Sequence, residues 1–238
     1  MLFNVVSLLP EIFEGLNYGV IGRALQKKII TLQHWNPRHY TKDTHKTVDD
    51  RPYGGGPGMV MLYQPLKDTL TDIENQGAAA PVIHLSPQGK PLEQADIMYL
   101  TTLPTLTLIC SRYEGIDQRF IDTEVDMEYS VGDFVVSGGE LPAMLLIDAI
   151  TRQLPGTLHD ENSAKQDSFA DGLLDCPHYT RPEEINGMHV PKVLISGDHQ
   201  AIYAWRAQQK QEKTCQKRPD LIKRRARIIY YKDGNPHE

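Results

Sequence analysis

Three short apolar runs, each followed by a loop of unusual composition, constrain the fold of this 238-residue chain most strongly. VIHL leads into SPQGKP after Leu85, TLTLIC leads into SRYEGID after Cys110, and FVV opens into SGGELP after Val136. Short runs rich in β-branched residues and separated by helical patterns are typical of buried strands. The chain is therefore predicted to be an α/β protein with a parallel sheet, and the three loops at the carboxyl ends of the strands are a predicted ligand site.

Apolar spacing and end signals predict the helices. One helix is expected over about residues 66–75. Another begins at Pro142, a residue suited to the first helical position, and stops before Pro155. A third starts near Asp198, which is an acceptable N-cap.

The character of the chain changes near residue 160. HDENSAKQDSFADG is polar and has no apolar periodicity, which is typical of a linker. We predict a first domain over residues 1–159, a linker over 160–172 and a small, mainly helical C-terminal domain over 173–238.

Charge is distributed unevenly along the chain. The net charge is −6, but residues 201–232 contain ten basic side chains against Glu212 and Asp220, which makes this segment +8 and the remainder −14. A basic end on an acidic body indicates a binding surface for a partner, although a solvated helix surface would have the same composition. The basic residues are Arg206, Lys210, Lys213, Lys217, Arg218, Lys223, Arg224, Arg225, Arg227 and Lys232.

Phosphate-binding motifs are missing from the sequence. It has neither GxxxxGK[ST] nor GxGxxG after a strand, which argues against a P-loop and the standard dinucleotide fingerprint. The densest glycine cluster, DDRPYGGGPGMVM, is either a flexible surface loop or a lid that grips a substrate with Arg51 and Tyr53.

The cysteines and histidines argue against a disulfide framework and a structural zinc. Cys110, Cys176 and Cys215 are odd in number and far apart, which favours a reducing cytoplasm. His159, Cys176 and His178 lack the spacing of zinc ligands, so no metal site is predicted. The N-terminus lacks a basic leader, and no apolar stretch approaches the roughly 20 residues of a membrane span.

Two further motifs have two interpretations each when they are taken alone. In SRYEGID, Arg112 and Glu114 form either an internal ion pair or a site where the carboxylate orients a ligand. The acids of QDSFADGLLDC are either part of a solvated linker or include a base that closes over a substrate.

Taken together, five segments closely resemble the bacterial tRNA (guanine-N1)-methyltransferase family, the TrmD type of the SPOUT superfamily. They are DDRPYGGGPGM, LSPQGKP, RYEGID, SVGDFVVSGGELPA and DSFADGLLDCPHYTRP, in order over essentially the whole chain. The resemblance implies a parallel sheet whose C-terminal part is threaded as a trefoil knot, a rare exception among folds. It also implies bent S-adenosylmethionine held by the knot loops, and a homodimer with active sites between subunits.

The resemblance assigns the cofactor to the three loops. Glycines there would let the backbone pass close to the ligand, where a Cβ would collide. The implied contacts are Leu85, Ser86, Pro87, Ser111, Tyr113, Glu114, Ser130, Val131, Gly132, Asp133, Phe134, Val135, Val136, Gly138, Gly139 and Pro142.

The resemblance also implies the catalytic roles. Asp167 corresponds to the base that removes the guanine N1 proton, and Arg152 to the cation that stabilises charge on O6. A carboxylate with a pKa of about 3.9 is a weak base for this proton, roughly five pKa units or about 7 kcal/mol short, and the cation narrows that gap. Glu114 would organise the methionine end of the cofactor, with Mg²⁺ as a further option because carboxylate oxygens suit it.

The implied substrate is the anticodon stem-loop of tRNA, methylated at guanosine 37 when a guanosine precedes it, to give 1-methylguanosine. Phosphate contacts from the basic segment would fix its register. The implied substrate contacts are Arg51, Tyr53, Gly55, Ser168, His178, Lys217 and Arg218.

Three residues depart from the family pattern. Ser111 stands where glycine is usual, Gln166 where an acid is usual, and Phe134 where tyrosine is more typical. One alternative is a SPOUT methyltransferase with another RNA target, against which DSFADGLLDCPHYTRP argues. A second is a non-catalytic RNA-binding protein of the same fold, supported by Ser111 and Gln166 alone, and a generic nucleotide-binding protein is a weaker third.

Overall fold

The computed structural model describes residues 1–160 and 162–224, and the chain divides into two units, Met1–Glu161 and Asn162–Glu238. The first unit contains a five-stranded sheet in which every neighbouring pair of strands is parallel, in the order β2-β1-β6-β5-β7. The predicted α/β class with a parallel sheet is confirmed. The strands are β1 (Leu2–Val6), β2 (Thr31–Trp35), β5 (Val82–Pro91), β6 (Thr105–Ile109) and β7 (Met127–Ser130), and β3 (Asp49–Asp50) pairs with β4 (Val60–Met61) in a separate antiparallel ribbon.

Side-chain alternation along the central strands builds a core on each face of the sheet. Phe3 and Val5 of β1 point into one core, and Val6 points into the other. The first core includes Ile147 of helix α5, and the second includes Leu66 of helix α2. The helices of this unit are α1 (Gly19–Gln26), α2 (Tyr63–Asn75), α3 (Gln94–Leu100), α4 (Gln118–Glu124) and α5 (Glu140–Thr151), with 3₁₀ turns at Pro10–Asn17 and Pro37–Tyr40.

The third predicted strand is wrong. Phe134 to Val136 form an exposed loop, and Val135 is 84% exposed. The strand is instead β7, whose sequence MEYS mixes polar and apolar residues, and it lies at the end of the sheet order beside β5. An end strand is covered less completely than a central one, so it tolerates a polar composition.

The loop predicted after Leu85 is part of β5. The strand continues to Pro91 through an irregularity, in which both Leu85 and Lys90 are paired with Tyr129 of β7. A bulge of this kind removes several residues from the regular ladder and turns them outward. The segment therefore lines a site although it belongs to a strand.

The predicted helices are found with different starts. The helix expected over residues 66–75 begins at Tyr63, and the helix expected from Pro142 begins at Glu140. Pro142 thus occupies the third helical position, where its missing N–H removes no intrahelical hydrogen bond. Leu146, Ile147 and Ile150 of α5 are fully buried.

The described residues of the second unit include helices α6 (Asn162–Gln166) and α7 (His199–Lys217), a further helical segment over residues 219–224 and a short hairpin. Helix α6 occupies part of the predicted linker, and helix α7 begins after Asp198, whose carboxylate accepts hydrogen bonds from two backbone amides as an N-cap. Strands β8 (Glu184–Ile185) and β9 (Met188–His189) pair antiparallel, and a 3₁₀ turn spans Lys192–Ile195. Arg225, Arg227 and Lys232 of the basic segment lie outside the described residues.

Among the helices that the structure describes, none has the length and apolar character needed to cross a membrane.

Candidate active site

A cavity of about 360 Å³ opens at the carboxyl ends of β5, β6 and β7. Its walls come from the irregular part of β5, from the loop after β6 and from the glycine-rich loop before α5. All of the predicted cofactor contacts line this cavity except Asp133. The parallel sheet thus brings together predicted contacts that lie up to 57 positions apart along the chain, from Leu85 to Pro142.

The glycines of the third loop have two different reasons to be glycine. Gly132 has a φ of +149°, which disfavours a residue with a side chain. Gly139 has an ordinary φ, but a Cβ there would lie 2.7 Å from Cys110 Cα. A Cβ on Gly138 would lie 2.5 Å from Arg112 Nε. At Gly138 and Gly139 the missing side chain therefore makes room for a neighbouring loop of the protein itself.

A buried ion pair joins the second and third loops. Arg112 Nε lies 3.0 Å from Glu140 Oε2, and the Ser7 hydroxyl donates to Glu140 Oε1 at 2.8 Å. The Glu140 side chain is only 1% exposed and stands at the first position of α5, where the helix dipole favours a carboxylate. The ion-pair partner of Arg112 is therefore Glu140, whereas pairing with Glu114 was one of the two interpretations that the sequence left open.

A second polar network lies on the cavity wall. The imidazole of His84 contacts Glu128 Oε1 through Nδ1 at 3.0 Å and Ser111 Oγ through Nε2 at 3.1 Å. His84 is almost completely buried, and burial lowers its pKa against the opposing effect of Glu128. Sequence patterns did not identify three polar residues of these networks, His84, Glu128 and Glu140. A histidine inside an apolar strand is the signal for His84, and an acid directly after Gly-Gly is the signal for Glu140.

Glu114 connects the cavity to the glycine-rich loop between β3 and β4. Its backbone amide donates to Met59 O at 2.9 Å, and a Cβ on Gly58 would collide with the Glu114 side chain. Tyr113, beside it, has a positive φ of 61°, which is uncommon for a bulky residue and often occurs at functional sites. Tyr113 and Phe134 are exposed aromatic side chains in the cavity wall.

A family model described as tRNA (Guanine-1)-methyltransferase TrmD matches residues 1–224 of the chain. The chain belongs to this family. Among its relatives, a tRNA (guanine-N(1)-)-methyltransferase of Ralstonia nicotianae is 57% identical over 93% of this chain and 86% of the relative. Proteins with the same name from Glaesserella parasuis serovar 5 and Salmonella schwarzengrund are 53% and 55% identical, each over 93% of this chain and over 89% and 88% of the relatives. The interpretation of the sequence as a tRNA (guanine-N1)-methyltransferase is confirmed.

The residues predicted to act in the methyltransferase reaction lie in both units. Glu114 lines the cavity and Arg152 caps the C-terminus of α5, both in the first unit. Asp167 directly follows α6 in the second unit, where its carbonyl accepts from Ala170 N at 3.2 Å. Of the three, only Glu114 lines the cavity. All of the described residues that line the cavity belong to the first unit.

The predicted RNA contacts fall into three groups. Arg51, Tyr53 and Gly55 lie in the loop between β3 and β4, and Tyr53 is fully exposed. In the second unit the Ser168 hydroxyl accepts from Asp175 N at 3.0 Å, and His178 Nε2 lies 2.7 Å from Asp175 Oδ2.

The third group of predicted contacts stands at the end of α7. Lys217 is its last residue and is exposed. The Arg218 guanidinium, in contrast, donates to the Asp220 carboxylate through Nε at 2.9 Å and through Nη2 at 2.8 Å. The two neighbouring cations therefore differ in their availability to a phosphate.

One group of metal-ligating side chains is found among residues 1–160 and 162–224. Ligand atoms of Asp175, Cys176 and His178 lie within 4.8 Å of one another. Burial, with Asp175 adding to it, raises the pKa of the Cys176 thiol, which opposes the thiolate form that zinc requires. The Asp175–His178 contact instead reads as a hydrogen bond across a turn.

Proposed function

We propose that the cavity binds S-adenosylmethionine and that the protein methylates N1 of guanosine 37 in tRNA, giving 1-methylguanosine. The observation that carries the proposal is the convergence of the three family motifs on one cavity at the carboxyl ends of parallel strands. When bound, the sulfonium of the cofactor supplies an activated methyl group. The reaction belongs in the cytoplasm, where tRNA is found.

The cavity wall fits such a cofactor in its chemistry. Tyr113, Phe134 and Val135 offer apolar surface for an adenine ring, and Ser111 and Glu114 offer oxygen atoms for its amino and hydroxyl groups. Glu114 would hold the methionine end. The ligand carries no phosphate, which accounts for a site without a P-loop lysine.

The protein has two tasks in the reaction, the removal of a proton and the stabilisation of charge. Asp167 would accept the guanine N1 proton, and Arg152 would donate to O6 as negative charge develops there. Positioning the acceptor nitrogen in line with the methyl group supplies the remaining advantage. Arg152 belongs to the first unit and Asp167 to the second.

A Mg²⁺ ion is a further proposal for this site. Glu114 offers carboxylate oxygens, which this ion prefers, and Mg²⁺ commonly keeps several waters, so one protein carboxylate is compatible with it. Calorimetric titration of the protein with Mg²⁺ in the presence of S-adenosylhomocysteine would test this. Wild type should release or absorb heat on binding Mg²⁺, and Glu114→Gln should abolish that heat.

The knot and the domain roles are proposed on the basis of the fold. Gly139 N donates to Ser111 O at 2.9 Å and Arg112 pairs with Glu140, so the loops after β6 and β7 are in direct contact, as a threaded arrangement would require. Residues 1–159 would form the knotted cofactor domain, 160–172 the linker and 173–238 the tRNA-binding domain. An experimental density map that traced the two loops without threading would contradict the knot.

A homodimer is proposed from exposed apolar surface on the first unit. Leu141 and Leu145 stand one turn apart on α5 and are 58% and 51% exposed, and Val135 is exposed in the preceding loop. Large apolar side chains at helical spacing in solvent mark an interaction surface. Sedimentation equilibrium should give a dimer that Leu145→Lys dissociates, and a monomeric wild type would contradict the proposal.

Methyl transfer to defined tRNAs tests the function. Labelled S-adenosylmethionine would be incubated with unmodified tRNA carrying guanosines 36 and 37, and with a tRNA carrying adenosine at 37. Incorporation should require guanosine 37, and Asp167→Asn should lower the rate about 10²–10⁴-fold because the general base is lost.

Asp171→Asn is the matched control, because Asp171 lies in the same segment but contacts Lys210 of α7. Binding of the cofactor without incorporation into either tRNA would contradict the proposal. It would favour another RNA target or a binding role.

A further inference from the structure

The contacts of His84 determine where its single proton lies. The side chain is 3% exposed, and burial lowers its pKa, so the imidazole is neutral near pH 7 and has one N–H. Glu128 Oε1, 3.0 Å from Nδ1, belongs to a carboxylate that only accepts hydrogen bonds. The proton is therefore on Nδ1, and Nε2 is an acceptor.

The protonation of His84 determines whether the Ser111 hydroxyl donates or accepts the hydrogen bond between them. Since Nε2 has no proton, the hydrogen bond of 3.1 Å between them requires the Ser111 hydroxyl to donate. The Ser111 oxygen is then left with its lone pairs, so it can only accept from any further group. A chain of a carboxylate, an imidazole and a hydroxyl also polarises the hydroxyl and strengthens it as an acceptor.

The hydroxyl stands where the three walls of the cavity meet. His84 belongs to β5, Glu128 to β7 and Ser111 to the loop after β6, and all three line the cavity. The Ser111 carbonyl also accepts from Gly139 N of the third loop at 2.9 Å. The side chain and main chain of one residue thus contact both other walls, and this position is held rigidly.

We propose that Ser111 Oγ is a cofactor contact that accepts a hydrogen bond from an amino or hydroxyl group of S-adenosylmethionine, and that His84 and Glu128 are the positioning residues that set its polarity. The inference rests on the proposed function of the cavity. Under this proposal, Ser111 adds one hydrogen bond to the cofactor. The glycine that is usual at this position in the family pattern has no hydroxyl and could not form it.

Calorimetric binding of S-adenosylhomocysteine to the full chain tests the contact. Ser111→Gly and Ser111→Ala should both bind about three- to tenfold more weakly, the size of one net hydrogen bond. Ser111→Thr keeps the hydroxyl and should restore most of the affinity. Thr102→Ala removes a surface hydroxyl outside the cavity and is the control.

The positioning role has its own variants. His84→Gln can still donate to Glu128 and accept from Ser111, so it should bind close to wild type, whereas His84→Leu should lose about as much affinity as Ser111→Ala. Nitrogen-15 NMR of the unliganded protein should show the Nδ1–H tautomer of His84. This spectrum does not depend on any cofactor.

The possible outcomes distinguish failure of the proposed function from failure of the Ser111 contact alone. Wild type that binds no S-adenosylhomocysteine would overturn the proposed function and this inference with it. Wild-type binding with unchanged or tighter binding by Ser111→Gly would overturn the inference alone. An Nε2–H tautomer would overturn it as well, because Ser111 would then accept from His84 and present its proton elsewhere.

Discussion

At the scale of single residues, the site depends on side chains that are absent as much as on those present. Gly139 has a φ that any residue can adopt, yet the main chain of the β6 loop fills the space where its Cβ would stand. Steric exclusion by backbone atoms is costly because a main chain cannot rotate away as a side chain can.

We expect Gly139→Ala to lower the free energy of unfolding by about 1–3 kcal/mol and to weaken cofactor binding, because the two loops must move apart. Chemical denaturation and calorimetry would measure these effects. Gly15→Ala is the matched control, since its Cβ would meet only the terminal methyl of Met144, a flexible group, at 3.1 Å. Equal stability of the two variants would contradict the steric explanation.

The buried His84 makes stability depend on pH. Its pKa is lowered in the folded protein, so between that value and the ordinary value of about 6.5 the unfolded chain binds a proton that the folded chain does not. We expect the free energy of unfolding to fall as pH drops below about 6.5, by up to about 1.4 kcal/mol per pH unit from this residue, and then to level off below the folded pKa. Denaturation between pH 5 and 8 measures this slope, which should be shallower in His84→Gln.

At the scale of elements, helix α5 is anchored at its N-terminus by charge. Glu140 accepts from Ser7 of the chain after β1 and pairs with Arg112 of the loop after β6. The start of the helix is thereby tied to two loops at the edge of the cavity. A buried charge that loses its partner is strongly destabilising, although the pair itself contributes little net stability.

Glu140→Gln should destabilise the protein by about 2–3 kcal/mol, less than for two fully buried charges because the Arg112 side chain is partly exposed. The double variant Arg112→Met with Glu140→Gln should recover part of this loss, since no charge is left without a partner. Arg119→Gln, which removes a mostly exposed guanidinium from its pair with Asp117, is the control and should cost under about 1 kcal/mol. Thermal denaturation of these proteins and of the single variant Arg112→Met distinguishes these outcomes, and a double variant whose loss equals the sum of the two single losses would argue against coupling.

At the scale of the whole molecule, charge is divided between the two ends of the chain. The acidic body contains the cavity, while the described part of the basic segment is concentrated on α7 and the residues that follow it. Counterion release makes such a surface bind nucleic acid with a steep dependence on salt. The net charge of −6 hides this property.

Lys217→Gln should weaken tRNA binding and reduce the slope of log affinity against log salt by about 0.7–0.9, the contribution of one phosphate contact. Arg218→Gln should change the slope less, because Asp220 already engages that guanidinium with two hydrogen bonds. Fluorescence anisotropy at several salt concentrations would measure both slopes. Lys42→Gln, on an exposed loop of the first unit, is the control, and a slope change equal to that of Lys217→Gln would rule out a special role for α7.

Local patterns in the sequence determined the class of the fold and the parts of the site. Short β-branched runs predict β5 and β6 because burial on both faces of a parallel sheet demands them. The composition of the loops that follow predicts a ligand site there, and the family resemblance named fifteen of the 25 residues that line the cavity. FVV was misassigned to a strand because periodicity cannot tell an exposed apolar loop from a short buried strand.

Only the tertiary structure decided which polar groups meet inside that wall. His84 contacts Glu128, which lies 44 positions further along the chain, and Ser111, which lies 27 positions further. Arg112 contacts Glu140, 28 positions away, in place of its near neighbour Glu114. Such partners depend on strand order, on register and on which face a side chain points from, and these are set by packing of the whole sheet rather than by local sequence.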